Sequence, residues 1–167
     1  MTLTLASLAR GCHDALAAGD TPAAREQAAQ LLAQALRDPA FLQEQFAQPV
    51  PERKIAYEDP ELGFCILVHE YHDAREGGPH DHGPSWAIYG QAEGETIMTD
   101  WAKVAPASET EPGKVRHVRD YKLTPGAAHV YNEGDLHSPR RDASTKLIRI
   151  EGRNVEKIRR FPYEAVA

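Results

Sequence analysis

The sequence has little of what marks secreted or membrane proteins. Its 167 residues include only two cysteines, Cys12 and Cys65, which favours a reducing compartment and argues against a disulfide framework. No apolar run approaches the roughly 20 residues that a membrane-spanning helix needs. The N-terminus lacks a basic segment followed by an apolar stretch, so we expect no secretory signal. These absences predict a cytoplasmic protein without a membrane partner.

The sequence also lacks an excess of positive charge. Its 19 lysines and arginines are outnumbered by 25 aspartates and glutamates, and the formal net charge is −6. Nucleic acids and anionic membranes both require a basic surface, so neither is expected as a partner. With 41% hydrophobic and 26% charged residues, the chain has an ordinary globular composition, and its length suffices for one domain with a core. We therefore expect a small-molecule substrate.

Two parts of the chain have different patterns. Residues 1–50 are rich in alanine, leucine and glutamine, and Thr21 followed by Pro22 is typical of a helix start. This part is predicted to be a helical N-terminal extension that covers one face of the protein or makes the contact of a homo-oligomer. Residues 51–167 have short β patterns separated by glycine and proline turns, which predict a sandwich or barrel. Strands are predicted at 64–71, 86–89, 96–104, 115–122, 127–131 and 146–151.

Three histidines in the β part have the spacing of a metal site. His80 and His82 are two residues apart, and side chains two apart on a strand point to the same face. A third imidazole, from His137 on a distant strand, would complete a site for a divalent metal such as Fe(II), Zn, Cu, Ni or Co. A His-x-His pair alone is weak evidence, since the flanking Pro79 and Gly83 also suit an exposed loop.

The residues around these histidines strengthen the hypothesis. Gly126, five residues, Asn132, one residue, Gly134, two residues and His137 have the spacing of the second cupin motif, with Asn132 where proline is usual. The His-x-His pair has the form of the first cupin motif. The chain therefore resembles the cupin superfamily. This resemblance implies a mainly β fold, namely a single cupin jelly-roll β-barrel, here with an α-helical N-terminal extension, that holds a metal in its mouth.

The resemblance is closer to one group of cupins. The first motif usually has a glutamate ligand four or five residues after its second histidine, where this chain has Trp86 and Ala87. A three-histidine cupin without that glutamate is similar to the thiol dioxygenases, which are cysteine dioxygenase and the bacterial 3-mercaptopropionate dioxygenases. The resemblance covers roughly residues 30–162, and within it residues 152–160 resemble the final strands of the bacterial members.

The resemblance implies a reaction and roles for particular residues. Fe(II), held by His80, His82 and His137, binds a small thiol that bears a carboxylate, and both atoms of O₂ go to the sulfur to give a sulfinate. Zn, Ni or another divalent metal is possible in place of iron. In the thiol dioxygenases an arginine on the strand that leads into the barrel grips the substrate carboxylate, and Arg53 falls at that place.

The chain departs from this group near its end. A Ser-x-His-x-Tyr run that tunes the iron corresponds here to Leu147, Arg149 and Glu151, so none of its three residues is kept. The alternation is kept, and Arg149 and Glu151 are therefore predicted to point into the barrel as further catalytic candidates beside Arg53. A buried Glu151 must be paired or protonated, and Arg149 is its nearest candidate partner.

Other polar and aromatic residues near the ligands have simpler interpretations. We expect Asp81 to point away from the metal and to hydrogen-bond backbone groups. Cys65 is expected to be a small buried residue. The neighbouring aromatic residues Trp86, Tyr89 and Tyr131 are expected in the core. His69 and His72 are expected to be a surface or barrel-lining pair, and His129 is expected to be a packed strand histidine.

Two further classes of function stay open at the level of sequence. One is a metal-dependent cupin oxygenase that acts on carbon, for which the loss of the tyrosine at Glu151 would be natural. The other is a non-catalytic cupin that binds a metal and a small acid without consuming O₂. The cupin scaffold also serves sugar isomerases, which need no O₂, so the fold alone does not separate these functions.

Overall fold

Three helices occupy the N-terminal part of the computed structural model, which describes residues 2–167. Each begins at a side chain that supplies an acceptor to the first turn. Thr21 Oγ1 accepts a hydrogen bond from the Ala24 N–H at 3.2 Å, and Pro22 follows it, as predicted. Thr4 and Asp38 cap the other two helices. None of these helices within residues 2–167 has the length and apolar character to cross a membrane. They are α1 (Leu5–Ala17), α2 (Pro22–Ala35) and α3 (Pro39–Gln45).

Ten strands follow the helices. They are β1 (Lys54–Glu58), β2 (Cys65–Tyr71), β3 (Arg75–Glu76), β4 (Ala87–Glu93), β5 (Thr96–Ala105), β6 (Gly113–Leu123), β7 (Ala128–Tyr131), β8 (Leu136–Arg141), β9 (Thr145–Glu151) and β10 (Tyr163–Ala165). One five-stranded sheet has the order β1-β2-β9-β4-β7, and the other has the order β10-β6-β5-β8-β3. Strands distant in sequence thus lie side by side, as in a jelly roll. The predicted fold class, a mainly β jelly roll with a helical N-terminal extension, is confirmed.

The first sheet packs its outer face against the helices. Ile148 and Ile150 of β9 and Ile88 of β4 lie in one apolar cluster with Leu32 of α2. Helix α2 approaches the sheet closely at Gly90, where a Cβ atom would lie only 2.8 Å from Leu32 Cδ2 and 2.6 Å from the Ile148 carbonyl oxygen. Glycine in the middle of a strand is typical of such a close approach. The helices therefore cover one face of the barrel.

The inner face of the same sheet is polar and aromatic. Leu147, Arg149 and Glu151 alternate with the two isoleucines of β9 and point the other way. In the pairing of β4 with β9, Tyr89 lies opposite Arg149 and Ala87 lies opposite Glu151. The predicted inward direction of the two charged residues of β9 is therefore correct, and the register places an aromatic residue beside Arg149.

The local structure around the first two histidines differs from the prediction. His80 forms only an isolated bridge, with His137, and His82 lies in a loop instead of on the same strand. The chain turns after Asp81, and the turn around His82 is stabilised because Asp81 Oδ1 accepts a hydrogen bond from the Gly83 N–H at 3.0 Å. The expectation that Asp81 bonds backbone groups is thus confirmed.

The segment after β9 also differs from the prediction. Residues 152–160, which resemble final strands, contain a short 3-10 turn over Val155–Lys157 and otherwise have no regular structure. Asn154 starts this turn because its side-chain oxygen accepts a hydrogen bond from the Glu156 N–H at 3.1 Å. A capped turn uses the backbone donors that a strand would have offered to a neighbour. The last strand, β10, begins later, at Tyr163.

Candidate metal centre

The backbones of His80 and His137 bring two distant parts of the chain together. The His137 N–H donates to the His80 carbonyl oxygen at 2.9 Å, and the His80 N–H donates to the His137 carbonyl oxygen at 3.0 Å. Before β8 the chain turns at Gly134, whose φ of +79° favours glycine. This turn and the bridge fix the direction of both side chains, and the two imidazole centroids lie 4.6 Å apart.

The three predicted histidines present the same ring nitrogen to one point. Their ligand nitrogens all lie within 4.8 Å of one another, and Nε2 of His82 is 3.2 Å from Nε2 of His137. Nδ1 of His80 lies 2.9 Å from the Gly78 carbonyl oxygen, and Nδ1 of His137 lies 2.9 Å from that of Asp135. A carbonyl oxygen can only accept, so each of these Nδ1 atoms carries the proton and each Nε2 presents its lone pair.

These imidazoles are kept neutral by their surroundings. Burial lowers the pKa of His80, His82 and His137 below the ordinary histidine value, and the positive charge of Arg149 lowers it further. A neutral imidazole keeps the lone pair with which it binds a metal. Nδ1 of His82 is buried and has no hydrogen-bond partner among residues 2–167.

The hydroxyl of Tyr89 lies at the point where the three nitrogens converge. Its oxygen is 3.3 Å from Nε2 of His80 and 3.2 Å from Nε2 of both His82 and His137. With the proton of His82 on Nδ1, as in the other two histidines, one hydroxyl proton satisfies one Nε2 at a time, and the other two lone pairs lack a donor. A divalent cation would satisfy all three at once. The donor set therefore fits a metal ion, and the three histidines could hold one.

Tyr89 belongs to this centre, whereas its sequence context predicts only a core residue. The alternation of β4 contains a signal for it, because Ala87 stands where cupins usually have a glutamate ligand and Tyr89 follows two residues later on the same face. Burial raises the pKa of the Tyr89 hydroxyl, whereas the charge of Arg149 opposes that shift. The guanidinium carbon of Arg149 lies 4.1 Å from the centroid of the Tyr89 ring.

Aromatic residues pack against the histidines of this centre. The ring of Tyr131 stacks on that of His137 with 3.9 Å between centroids. The hydroxyls of Tyr131 and Tyr121 are hydrogen-bonded, and Tyr121 also donates to Asp100 at 3.0 Å. His129 packs against Tyr131 at 4.6 Å and lies outside the histidine cluster. The expectation that His129 is a packed strand histidine is thus confirmed.

Two further histidines also lie outside the cluster. His69 on β2 is buried, and its Nδ1 lies 2.6 Å from the Glu52 carbonyl oxygen, to which it donates. His72, which follows β2, is exposed. Neither residue belongs to the group of three that could hold a metal. His72 thus lies on the surface, and neither residue joins the three histidines, in agreement with the expectation that this pair is not part of the metal site.

Glu151 is completely buried and is paired mainly with Arg53. Its two oxygens lie 2.9 Å from Nη1 and Nη2 of Arg53, whereas Nη1 of Arg149 is 3.6 Å away. Asn154 Oδ1 accepts another hydrogen bond from Arg53 Nη2 at 2.9 Å. The hydrogen bonds with Glu151 raise the pKa of Arg53. The pairing that a buried Glu151 requires is therefore present, but its main partner is Arg53 instead of the neighbouring Arg149.

A cavity of about 820 Å³ opens onto the centre. His80, Tyr89 and Arg149 line it, whereas Arg53 and Glu151 are absent from its lining. Of the three predicted catalytic residues, only Arg149 thus faces the space that a substrate could occupy. Other lining residues are Tyr71, Arg75, Glu76, Arg141, Arg160 and Phe161.

Helix α2 holds the loop that precedes His137. Arg25 is buried, and its guanidinium donates to both carboxylate oxygens of Glu133 and, at 2.9 Å, to Oδ1 of Asn132. Its Nε donates to Asp20 at 2.7 Å. Asn132 occupies the position where the second cupin motif usually has proline, so an amide contact to the helix replaces the rigidity of the proline ring at this point.

Comparisons with known proteins give likenesses of structure only. The chain matches no known family model and no curated protein. A cupin-2 domain-containing protein from Shewanella frigidimarina is similar in structure, with a TM-score of 0.46 and 13% identity over 70% of this chain and 95% of that one. KdgF from Halomonas sp. gives 0.45 and 18%, over 62% and 82%. The DMSP lyase DddQ from Ruegeria pomeroyi gives 0.42 and 14%, over 61% and 44%. These values carry no activity over to this chain.

Proposed function

We propose that this protein is a non-haem iron dioxygenase that adds O₂ to a small, carboxylate-bearing thiol and releases the sulfinate. The observation that supports this most is the set of three neutral imidazoles at one end of an arginine-rich cavity. Three protein ligands would leave up to three positions of an octahedral Fe(II) open for the thiol and O₂. The thiolate and O₂ combine as R–S⁻ + O₂ → R–SO₂⁻. The O–O bond breaks, two S–O bonds form, and sulfur supplies the four electrons, so no external reductant is needed.

Tyr89 is proposed to supply the phenol that the thiol dioxygenases have at the position of Glu151. Its hydroxyl reaches all three ligand nitrogens from the neighbouring strand β4. A phenol there can donate a hydrogen bond to an anionic atom of the substrate near the metal position. Arg149 packs on the Tyr89 ring, and its charge would favour the same anion. Tyr89 on β4 would then take the role of the tyrosine that is missing from β9.

Arg149 is proposed to face the substrate, with Arg53 and Glu151 as positioning residues behind it. Glu151 lies 3.6 Å from Nη1 of Arg149 while both of its oxygens are bound by Arg53. If Arg53 instead gripped a substrate carboxylate, as the resemblance implies, it would have to release Glu151. A buried carboxylate without a partner is strongly unfavourable.

Oxygen consumption by the anaerobically Fe(II)-loaded protein would test the proposed function. Small thiols and matching thiol-free acids are supplied, and the masses of the products are recorded. We expect O₂ uptake only with a thiol, a gain of two oxygen atoms on that thiol, and loss of both in His137→Ala. His72→Ala, which changes an exposed histidine, is the matched control and should behave as the wild type.

Other outcomes of this experiment identify the competing functions. Uptake of O₂ with a thiol-free acid, without a sulfinate, would identify an oxygenase that acts on carbon. Absence of uptake with every thiol, although iron is bound, would remove the dioxygenase proposal and leave a cupin that binds a metal and a small acid.

A further inference from the structure

Arg141 has a buried guanidinium that forms no ion pair with any acidic side chain of residues 2–167. It is the last residue of β8, four residues after His137, and only 3% of it is exposed. Its Nε and Nη2 atoms are buried and have no hydrogen-bond partner among residues 2–167. The guanidinium carbon lies 4.8 Å from the centroid of the Tyr71 ring, a contact that offsets only part of the cost of burying a charge.

Arg141 lines the cavity of the metal centre, where positive charge exceeds negative charge. Arg75 forms an ion pair with Glu52 at the rim. Arg149 has only a 3.6 Å contact with Glu151, whose oxygens are already bound by another arginine. Glu76 is the single carboxylate among the described lining residues. The lining of this cavity therefore carries positive charge that a negatively charged ligand would neutralise.

The geometry of the two inner arginines fits a carboxylate. A guanidinium presents its N–H groups as a flat fork that matches the two oxygens of a carboxylate. Arg141 on β8 and Arg149 on β9 belong to opposite sheets and both reach the same cavity, so together they can enclose an anion. Burial of Arg141 lowers the pKa of its guanidinium, which is the sign of a charge without compensation.

We propose that Arg141, assisted by Arg149, is the anion site of this protein and binds the carboxylate of its ligand. That the bound acid is the substrate rests on the proposed function, whereas the binding of a carboxylate does not. The site differs from that implied by the resemblance, in which Arg53 grips the carboxylate. Arg53 is occupied by Glu151 and Asn154, and Arg141 is free to bind.

Binding of propionate to the full-length protein after chelator treatment tests this site. Without metal, no ion can hold the carboxylate, so the titration reports on the arginines alone. We expect propionate and 3-mercaptopropionate to bind by calorimetry and to raise the melting temperature, and we expect ethanethiol, which has no carboxylate, to do neither. In Arg141→Met the affinity for propionate should fall about 10- to 100-fold, because hydrogen bonds to charged groups are lost.

The stability of the ligand-free variants separates a binding role from a structural one. Arg141→Met should melt at the same temperature as the wild type or higher, because it removes an uncompensated buried charge. A purely structural arginine would give the opposite result. Arg140→Met, which changes an exposed residue paired with Asp142, is the matched control and should bind propionate as the wild type does. Arg141→Lys keeps the charge without the fork and should bind several-fold more weakly than the wild type.

The inference and the proposed function can fail separately. Wild-type affinity for propionate in both Arg141→Met and Arg141→Lys would overturn the anion site; if Arg141→Met does not fold, Arg141→Lys decides alone. Propionate binding that depends on Arg141, without O₂ uptake for any thiol, would keep the anion site and remove the dioxygenase. Sulfinate formation unaffected by Arg141→Met would keep the dioxygenase and overturn the role of Arg141 in binding its substrate.

Discussion

The two faces of β9 consist of alternate residues of one seven-residue strand and differ in polarity although both are buried. Outward-facing Ile148 and Ile150 pack on the alanine- and leucine-rich helices in a continuous apolar cluster. Inward-facing Arg149 and Glu151 lie among charged and hydrogen-bonding groups, and Glu151 is as deeply buried as the isoleucines. The outer face obtains its stability from apolar burial. The inner face holds charges whose burial is unfavourable unless partners compensate them.

This difference indicates a division of labour between the faces. An apolar face offers no groups that bind a polar ligand, whereas buried lone pairs without donors and a guanidinium without an acid are enriched at binding sites. Several buried polar atoms among residues 2–167 lack a partner, and they include Nε2 of His69 and Oγ1 of Thr145 as well as Nδ1 of His82 and two nitrogens of Arg141. Those of the three-histidine cluster and of Arg141 adjoin the cavity. The following substitutions test this difference, and the last of them tests a contact that belongs to neither face.

The largest effect on stability is expected from Glu151→Ala. It removes the hydrogen bonds that Glu151 accepts from Arg53, whose side chain is 20% exposed and also contacts Glu156 at 3.2 Å, so the loss of unfolding free energy should be about 1.5–3 kcal/mol. Urea denaturation measures this loss. Glu93→Ala removes the partner of Lys146 at 3.0 Å in an exposed pair, and it should cost at most about 1 kcal/mol. Equal losses in the two variants would contradict the importance of burial. The double variant with methionine at 53 and 151 should recover much of the stability.

The next largest effect is expected from His82→Ala, and it concerns the affinity for metal. Loss of a ligand should weaken Zn(II) binding by more than the roughly 10–100-fold effect of removing a group behind a ligand. Equilibrium dialysis with Zn(II) and Fe(II) measures it. His129→Ala, behind Tyr131, is the control and should stay within about tenfold of the wild type. Undiminished binding in His82→Ala would show that the three histidines do not form the metal site.

A smaller effect is expected from Ile150→Val on the outer face. Removal of one buried methylene group should lower the unfolding free energy by about 0.5–1.5 kcal/mol. Because the side chain points to the helices, the affinity for Zn(II) should not change. Urea denaturation and dialysis of the same preparation give both values. A change in metal affinity would indicate that the two faces of β9 are coupled.

The smallest effect is expected where α1 meets the loop after β1. Nδ1 of His13 lies 2.9 Å from Oδ2 of Asp59, and this hydrogen bond raises the pKa of His13 in the folded state. The pair therefore contributes stability in full below the ordinary histidine pKa of about 6.5, and this contribution is lost as the pH rises through the raised value. His13→Asn should be less stable than the wild type at about pH 6, with a smaller difference at about pH 9. A constant difference would contradict the titration.

Local chemistry made part of the molecule predictable from its sequence. The helix starts follow from capping residues such as Thr21, which act within three residues of themselves. The meeting of the three histidines was predictable because motif spacing carries information that periodicity alone does not. Even so, a turn at Asp81 replaced the expected strand, since a side-chain hydrogen bond competed with pairing.

The remaining features depend on contacts between strands far apart in sequence. Glu151 and Arg53 are 98 residues apart, so composition could reveal that Glu151 needed a partner but not which one. Tyr89 reaches the histidines only because the register of β4 places it beside Arg149. The lack of any acid beside Arg141 is a property of the assembled cavity. Register and cavity shape are set by tertiary packing, which single-sequence patterns do not specify.

Because Arg25 contacts the loop before His137, the geometry of the barrel depends on the N-terminal helices. A guanidinium on α2 holds Asn132 and Glu133, and the Asp20 that orients it also accepts from the indole of Trp86 at 2.8 Å. If the helices were removed, this loop would lose the contact that holds it, only a few residues before His137. A barrel produced without the helices would therefore keep the three histidines but lose the contact from Arg25 that positions the loop before His137.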